Sequence, residues 1–118
     1  VVIHVICDAL LGAMSLGDIG SHFPDTESKY KGIDSKILLQ EVVSIMKEKK
    51  YDIVNIDVTI LLEKPKLRNH IDKMRKAIAK ITDSEVSSIS VKATTTEGLG
   101  FVGREEGVAA HCVCLIKK

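Results

Sequence analysis

The chain has 118 residues, 45% of them apolar, which predicts one compact domain over residues 1–118. Its 17 basic and 16 acidic residues give a net charge of +1, so no strong field would attract nucleic acid as a partner. No apolar run approaches the roughly 20 residues that cross a bilayer, and no secretory signal opens the sequence, so we expect no membrane partner.

The first third of the chain predicts a helix and a long loop. Apolar residues recur at helical spacing from Val2 to Leu16, and Gly17 ends this helix. Because the apolar stretch begins at Val1 without a cap, we infer a fragment, a processed chain or missing residues upstream. Residues 17–33 are rich in Gly, Asp, Ser and Pro, and long loops of this kind in small domains are often functional.

The middle of the chain predicts two helices around a strand. Asp34 or Ser35 caps a helix with an apolar stripe, and lysines near its end suit the helix dipole. Residues 51–62 alternate between apolar and polar side chains and predict a strand with one polar face. A break at residues 63–66 precedes an amphipathic helix whose apolar positions are Ile71, Met74, Ile78 and Ile81.

The last third predicts two strands, residues 88–96 and 107–116, around a glycine-containing loop. The final strand is apolar on both faces, so we expect another subunit to cover one of them. The element order is helix, helix, strand, helix, strand, strand. It predicts an α+β, two-layer fold with helices packed on one side of a mixed β-sheet.

The three cysteines, Cys7, Cys112 and Cys114, form no regular disulfide framework, so a reducing compartment is expected. Cys112 and Cys114 share one face of the final strand and resemble half of a metal site, but no second pair exists. Small buried hydrophobic side chains are the favoured interpretation.

One helical pair could bind a metal. His4 and Asp8 lie one turn apart on one face of the first helix, where both could bind a divalent cation. Two ligands are fewer than the three protein groups of a catalytic zinc site. A buried histidine paired with its carboxylate is therefore the more common arrangement on these residues alone.

Two segments carry residues suited to a phosphorylated ligand. In residues 18–25, carboxylates beside glycine, phenylalanine and proline suit hydrogen bonds to hydroxyls and packing against an apolar substrate edge, although a capped turn explains them equally well. In residues 93–104, ATTTEGLGFVGR, threonine hydroxyls and backbone amides can hold phosphate oxygens. Glu97 can bind a hard cation, and Arg104 can neutralise another anion. A threonine-rich strand before a glycine turn explains this segment equally well.

Five segments, in order and at compatible spacing, resemble the signature blocks of the 2-C-methyl-D-erythritol 2,4-cyclodiphosphate synthase family. They read DALLGAMSLGDIGSHFPDT, YKGIDS, NIDVTI, PK and VKATTTEGLGFVGREEGVA. Several long motifs in register over nearly the whole chain are far more specific than a lone pattern. The chain is therefore identified as a member of this family, lacking the family's N-terminal segment.

The resemblance implies a metal-dependent phosphorus–oxygen lyase of non-mevalonate isoprenoid synthesis. Its substrate would be 4-diphosphocytidyl-2-C-methyl-D-erythritol 2-phosphate, whose 2-phosphate oxygen attacks the distal phosphorus of the CDP group and releases CMP. The resemblance also implies a homotrimer assembled through the sheets, with active sites between subunits. Zinc and a second cation, Mg²⁺ or Mn²⁺, are the implied cofactors, and an isoprenoid diphosphate is a candidate ligand of the central channel.

The resemblance assigns site residues by matching position. His4 matches a zinc ligand, whose partners in relatives, an Asp-x-His pair, belong to the missing N-terminal segment. Glu97 matches the ligand of the second cation, and Thr95 and Glu97 are the catalytic candidates. The substrate-binding candidates are Asp18, Ile19, Gly20, Phe23, Pro24, Asp25, Thr26 and Glu27 for the methylerythritol phosphate; Leu62, Pro65, Lys66 and Leu67 for cytidine; and Thr94, Thr96, Phe101 and Arg104 near the phosphates and the channel.

The sequence departs from the family pattern at two places. Glu27 stands where an aspartate is common, which keeps the charge but lengthens the reach. Glu63 and Lys64 replace smaller or neutral groups in a segment that usually reads closer to AQAPKM. Base recognition is therefore expected to rely on backbone contacts and Lys66.

Two rival interpretations remain open from the sequence. One is a catalytically silent trimeric scaffold that binds nucleotide or isoprenoid phosphates. The other is a different layered trimer, such as a chorismate-mutase-like enzyme, which would leave His4 and the ATTTE block without a role. The composition leaves a bacterial cytoplasm and a plastid-type organelle equally open as the location.

Overall fold

The computed structural model describes residues 1–24 and 32–118. Five helices and three strands form the described part of the chain. Two short 3-10 turns, Arg68–His70 and Val86–Ser88, precede the fourth helix and the second strand. In chain order the elements are α1 (Val2–Ala13), α2 (Ile19–His22), α3 (Ser35–Glu48), β1 (Asp52–Leu61), α4 (Ile71–Thr82), β2 (Ile89–Thr94), α5 (Gly100–Gly103) and β3 (Ala109–Lys117).

The three strands form a mixed sheet in the order β2-β1-β3. β1 pairs with β2 in parallel and with β3 antiparallel. α4 lies in the connection between the parallel strands, as such a crossover requires. This arrangement confirms the predicted α+β class and the mixed sheet.

The core lies between one face of the sheet and the long helices. Ile56, Val58 and Ile60 alternate along β1 and are almost completely buried, as the alternation in the sequence predicts. α1 packs on β3, α4 packs on β2, and α3 contacts both helices. Residues with full burial on the helices include Ile6, Leu10, Leu11 and Leu39.

The opposite face of the sheet carries exposed apolar side chains. Val113 and Leu115 of β3 are 72% and 59% exposed. Their neighbours on the strand, Cys112, Cys114 and Ile116, pack against the core instead. The exposed face of β3 is therefore apolar in its centre, between His111 and Lys117, and the described residues cover only the other face.

The sequence misplaced the end of the first helix and missed two short helices. α1 ends at Ala13 rather than Leu16 because Ser15 adopts a left-handed conformation with φ 59°. The amide of Leu16 then donates to Leu11 O at 2.9 Å, which closes the helix end. The predicted loops 17–33 and 97–107 each contain a one-turn helix, α2 and α5, too short to leave a periodic pattern.

Within residues 1–24 and 32–118, no helix is long and apolar enough to span a membrane.

Candidate active site

The largest of the described cavities opens where β1 and β2 end. Parallel neighbours end at the same edge of a sheet, and here Leu61 pairs with Thr94 in the register. The amide of Leu62 donates to Thr94 O at 3.0 Å, which holds the two following segments together. Between them lies a cavity of about 520 Å³.

The cavity brings together two of the predicted groups. All four cytidine candidates line it, together with Thr94 and Thr95 of the phosphate segment. These groups are about 30 positions apart in sequence and meet only because β1 and β2 are adjacent. Residues that line the cavity but were not predicted are Glu63, Arg68, Asn69, Ile71 and Ala93.

Glu63 links the two walls of the cavity. Its Oε1 accepts hydrogen bonds from Thr96 N at 2.9 Å and from Gly98 N at 3.4 Å. The hydroxyl of Thr96 lies 3.2 Å from the same oxygen and 2.7 Å from Leu99 O. The amide of Thr96, followed by that of Gly98 and the Thr96 hydroxyl, lowers the pKa of Glu63 and keeps it ionised. The amide and the hydroxyl of Thr96 therefore both have hydrogen-bond partners within the protein.

The turn that follows β2 presents the predicted cation ligand. Glu97 is exposed and adopts a left-handed conformation with φ 55°, which is unfavourable for a residue with a Cβ. Its amide donates to Thr95 Oγ1 at 3.2 Å. Because that hydroxyl accepts from the amide, its own proton stays available for a ligand.

A close backbone contact supports this turn from α5. A Cβ added to Gly103 would lie 2.1 Å from the carbonyl carbon of Gly98, far inside van der Waals contact. Gly98 itself has φ 81°, a conformation that glycine adopts at low cost. The two glycines in the segment therefore allow the turn and the helix to touch.

The two remaining candidates of this segment lie outside the cavity. Phe101 is 49% exposed and lies on α5. Arg104 is also exposed and pairs with Glu106 through an Nε–Oε1 distance of 2.9 Å. Neither residue lines the cavity, so Thr94 and Thr95 are the candidates of the phosphate segment that do.

The candidates at the end of α1 form a second group. Asp18 caps α2 by accepting from Ser21 N at 2.9 Å. Asp8 Oδ1 accepts from Ile19 N at 2.9 Å, which ties this loop to α1. Phe23 and Ile19 pack against the core, and a Cβ added to Gly20 would lie 3.4 Å from Asp18 Oδ1, an ordinary contact distance. Pro24 ends this described part, and the predictions for Asp25, Thr26 and Glu27 lie outside the described residues.

This second group does not reach the cavity. None of its described members lines the space between the β1 and β2 ends. The described members of the two candidate groups therefore lie in separate parts of the chain. Sequence reasoning predicted both groups, and the resemblance implied that their site lies between subunits.

The predicted zinc ligand lies on the exposed side of α1. His4 is exposed, and the carboxylate of Asp8 is engaged with Ile19 rather than with the imidazole. Residues 1–24 and 32–118 contain no cluster of three His, Cys, Asp or Glu side chains that could hold a metal. The described residues therefore do not complete a catalytic zinc site, which needs three protein groups.

The cysteines behave as hydrophobic residues. Burial raises the pKa of Cys7 and of Cys112 to about 12, and burial also raises the pKa of Cys114. All three are free thiols. Cys112 and Cys114 pack against the core and belong to no three-ligand cluster within residues 1–24 and 32–118, which favours the hydrophobic interpretation over half of a metal site.

Comparison with known proteins decides the family. A model described as the YgbB family matches residues 1–117. The chain belongs to the YgbB family. A curated relative from Brachyspira hyodysenteriae, named 2-C-methyl-D-erythritol 2,4-cyclodiphosphate synthase, is 58% identical over 117 residues, covering 99% of this chain and 74% of the relative.

Solved structures of YgbB relatives share the fold. A bifunctional IspDF from Campylobacter jejuni superimposes with a TM-score of 0.92 and 40% identity, covering 97% of this chain. This chain spans 31% of that longer protein. A CDP complex of IspF from Plasmodium falciparum gives a TM-score of 0.86 and 32% identity, covering 97% of this chain and 68% of that chain.

These YgbB relatives confirm the family predicted from the sequence. Their curated name is that of the predicted function, which favours an enzyme over a silent trimeric scaffold. A chorismate-mutase-like enzyme was the wrong alternative, because the family match extends over nearly the whole chain.

Proposed function

We propose that this YgbB chain converts 4-diphosphocytidyl-2-C-methyl-D-erythritol 2-phosphate to 2-C-methyl-D-erythritol 2,4-cyclodiphosphate and CMP. The observation that carries the proposal is the cavity in which the cytidine candidates meet Thr94 and Thr95. A relative that is 58% identical bears the name of this activity, and a solved relative is a CDP complex. The reaction belongs to non-mevalonate isoprenoid synthesis.

Different residues of the cavity would contact the base and the diphosphate of the CDP group. Leu62, Pro65 and Leu67 supply apolar walls for the base, and Lys66 supplies a positive charge nearby. Thr94 and Thr95 line the same space, and the Thr95 hydroxyl can donate to the diphosphate, whereas the Thr94 hydroxyl lies 3.4 Å from Thr95 O. The candidate group around Asp18 would hold the methylerythritol phosphate end through hydroxyl contacts.

In the reaction, a 2-phosphate oxygen of the substrate attacks the distal phosphorus of the CDP group. A new P–O bond closes the ring, and the P–O bond to CMP breaks with its electron pair leaving on CMP. Both partners are anionic, so alignment and charge neutralisation supply most of the rate. Holding both ends of one molecule can contribute roughly 7–11 kcal/mol. No covalent protein nucleophile is needed.

Glu97 suits a divalent cation of the Mg²⁺ or Mn²⁺ type. Such cations bind through one or two carboxylates and complete their shell with water and substrate phosphates. Glu97 offers one exposed carboxylate next to the threonines that line the cavity. When bound, the cation would neutralise charge on the diphosphate. Thr95, whose hydroxyl proton is free, would donate to the phosphoryl oxygen as charge develops.

The sheet suggests how the two candidate groups combine. Val113 and Leu115 form an exposed apolar surface that a second and third copy could bury. We infer a homotrimer through this face, in which the Asp18 loop of one subunit meets the cavity of its neighbour. Phe101 and Arg104 lie outside the cavity, and we assign them to the central channel, where an isoprenoid diphosphate could bind.

Turnover of the CDP-linked substrate tests the proposal. With Mg²⁺ present, we expect release of CMP and appearance of a cyclic diphosphate by ³¹P NMR. Lys66→Met keeps the stem but removes the charge, and should raise the KM more than it lowers kcat. Lys64→Met is the matched control, since Lys64 does not line the cavity. Absence of CMP from the full-length protein with Mg²⁺ and Zn²⁺ would contradict the proposed function.

Light scattering tests the proposed assembly. We expect the mass of three chains at micromolar concentration, and a smaller species for Val113→Lys, because a charge would have to be buried in the interface. Ser44→Lys, at an exposed position of α3 away from the sheet, is a control for charge alone. A wild-type protein that is monomeric with native secondary structure would contradict the trimer.

Zinc binding is a separate prediction that follows from the ligand count. We expect the 118 residues tested alone to hold substoichiometric zinc after dialysis and to be catalytically poor, because His4 is their only residue that matches a family zinc ligand. A version extended upstream with an Asp-x-His pair should be active and bind one zinc per subunit. One tightly held zinc on the 118 residues, removed by His4→Ala, would mean that the ligand count is wrong.

A further inference from the structure

We propose that Glu63 is a positioning residue that fixes the turn of residues 96–98 in its active shape, and so sets where Thr95 and Glu97 meet the substrate. The inference rests on the proposed function for the role of that turn. It gives a purpose to a residue that departs from the expected family pattern and belongs to neither the cytidine nor the phosphate candidates.

The contacts of Glu63 bracket Glu97. One carboxylate oxygen accepts from Thr96 N at 2.9 Å and from Gly98 N at 3.4 Å, the amides immediately before and after that of Glu97. These bonds join positions 33 and 35 residues apart. They cross from the segment after β1 to the segment after β2, so they fix one wall of the cavity relative to the other.

The turn needs such support. Glu97 has a Cβ and a φ of 55°, a conformation that persists only where the surroundings impose it. α5 holds the outer side through the close approach of Gly103 to Gly98. Glu63 holds the inner side, next to the cavity. Between these two supports, the carboxylate of Glu97 makes no hydrogen bond or ion pair with residues 1–24 and 32–118, and it projects from a fixed backbone.

The same geometry argues against a direct role for Glu63 in binding. Its Oε1 already faces two amides and a hydroxyl, which compensate its charge. A negative group in this place would repel the diphosphate if it were free. Turned toward the amides, it instead presents its charge to backbone donors, while Thr94 and Thr95 remain on the cavity side.

Three substitutions separate acceptor position from charge. Glu63→Gln keeps an oxygen at the same reach and loses the charge, so kcat should stay within about tenfold of wild type. Glu63→Asp keeps the charge but is one methylene shorter, and Glu63→Ala has no acceptor. Both should lower kcat by about 100-fold, the scale of a catalytic group displaced by about 1 Å. The affinity for CMP, which uses mainly the cytidine pocket, should change little in all three.

Two controls accompany these variants in the full-length protein. Lys64→Ala alters the neighbouring exposed side chain, and Glu48→Ala removes one negative charge from the exposed end of α3. Both should keep wild-type kcat. An active Glu63→Asp with an inactive Glu63→Gln would overturn the proposal, because charge rather than acceptor position would then matter. Unchanged kcat in Glu63→Ala would also overturn it.

Amide hydrogen exchange supplies a test that does not depend on turnover. Exchange at Thr96 and Gly98 should accelerate in Glu63→Ala and Glu63→Asp but not in Glu63→Gln, with the core amides unchanged. If wild-type protein released no CMP, the proposed function would fail while this readout still tested the bonds. Equal protection of the two amides in wild type and Glu63→Ala would refute the positioning role by itself.

Discussion

The turn after β2 and the turn after α4 share an unusual backbone but differ in purpose. Glu97 and Asp83 both adopt left-handed conformations, with φ of 55° and 54°. At Asp83 the conformation ends a helix, since Ser84 N then donates to Ala79 O at 2.9 Å. Glu97 follows a strand, so there is no helix whose carbonyl groups it could satisfy.

The comparison extends to every such residue in residues 1–24 and 32–118. Five residues other than glycine have a positive φ, and four of them, Ser15, Lys50, Asp83 and Glu105, directly follow helices. Backbone hydrogen bonds to the preceding turn explain those four. Glu97 is the fifth: with Gly98 it forms the centre of a turn that Leu99 N closes by donating to Thr96 O at 3.1 Å, and this turn holds its carboxylate beside the cavity. A positive φ at a residue other than glycine therefore points to a functional site only where the residue does not end a helix.

The largest expected effect comes from removing the charge that Glu97, unlike Asp83, holds beside the cavity. Glu97→Gln preserves side-chain volume but removes the charge proposed to hold the diphosphate-bound cation. We expect CMP release to fall by roughly 100-fold or more at saturating Mg²⁺, with the fold retained. Asp83→Asn is the matched control, since it removes a carboxylate from the other left-handed turn. It should leave turnover within about twofold, since surface changes away from a site have small effects. Near-normal turnover in Glu97→Gln would show that Glu97 has another function.

The next effect concerns the support of the turn rather than its charge. Gly103→Ala places a Cβ 2.1 Å from the carbonyl carbon of Gly98, and backbone atoms cannot rotate away. We expect a loss of about 1–3 kcal/mol in the free energy of unfolding, measured in urea, together with a loss of CMP release.

Gly12→Ala provides the contrast for Gly103→Ala. Gly12 lies in α1 with nothing within 4 Å of an added Cβ, so alanine should stabilise the protein by about 0.5–1 kcal/mol. Equal stability of both alanine variants would mean that the approach of α5 to the turn does not matter.

Much of this fold follows from local patterns in the sequence. The alternation in residues 51–62 identified β1 and its buried face, and Asp34 marked the start of α3. What local patterns could not give is the register between β1 and β2, which sets Glu63 opposite Thr96 across 33 residues. Periodicity reports one element at a time and carries no information about such pairs.

The candidate site was predictable to a similar degree. Motif resemblance supplied the residues that line the cavity, because long blocks in register are specific. It supplied no role for Glu63, which stood out only as a departure from the pattern. The feature that indicates a role for Glu63 is its position at the end of one parallel strand. There it lies opposite a turn, at the end of the next strand, whose amides need acceptors. Recognising it required knowing that the two strands are neighbours.

The smallest effect concerns a carboxylate that lies on the sheet, away from both turns. Asp57 of β1 pairs with Lys92 of β2, with Nζ–Oδ distances of 2.6 and 2.8 Å, and the hydrogen bond from Lys92 holds the pKa of Asp57 below its ordinary value of 3.8. Because the pKa of Asp57 is lower in the folded state than in the unfolded state, the pair stabilises the fold at any pH above the unfolded-state pKa. This stabilisation is lost as the pH falls through the folded-state pKa. The side chain of Asp57 is 40% exposed, so solvent screens the pair.

We therefore expect Asp57→Asn to cost at most about 1 kcal/mol in urea unfolding at pH 7. The difference from wild type should vanish as the pH falls below 3.8. CMP release should be unchanged, because Asp57 does not line the cavity, so it is expected to serve stability while the cavity residues serve catalysis. A loss of turnover with unchanged stability in Asp57→Asn would contradict that division.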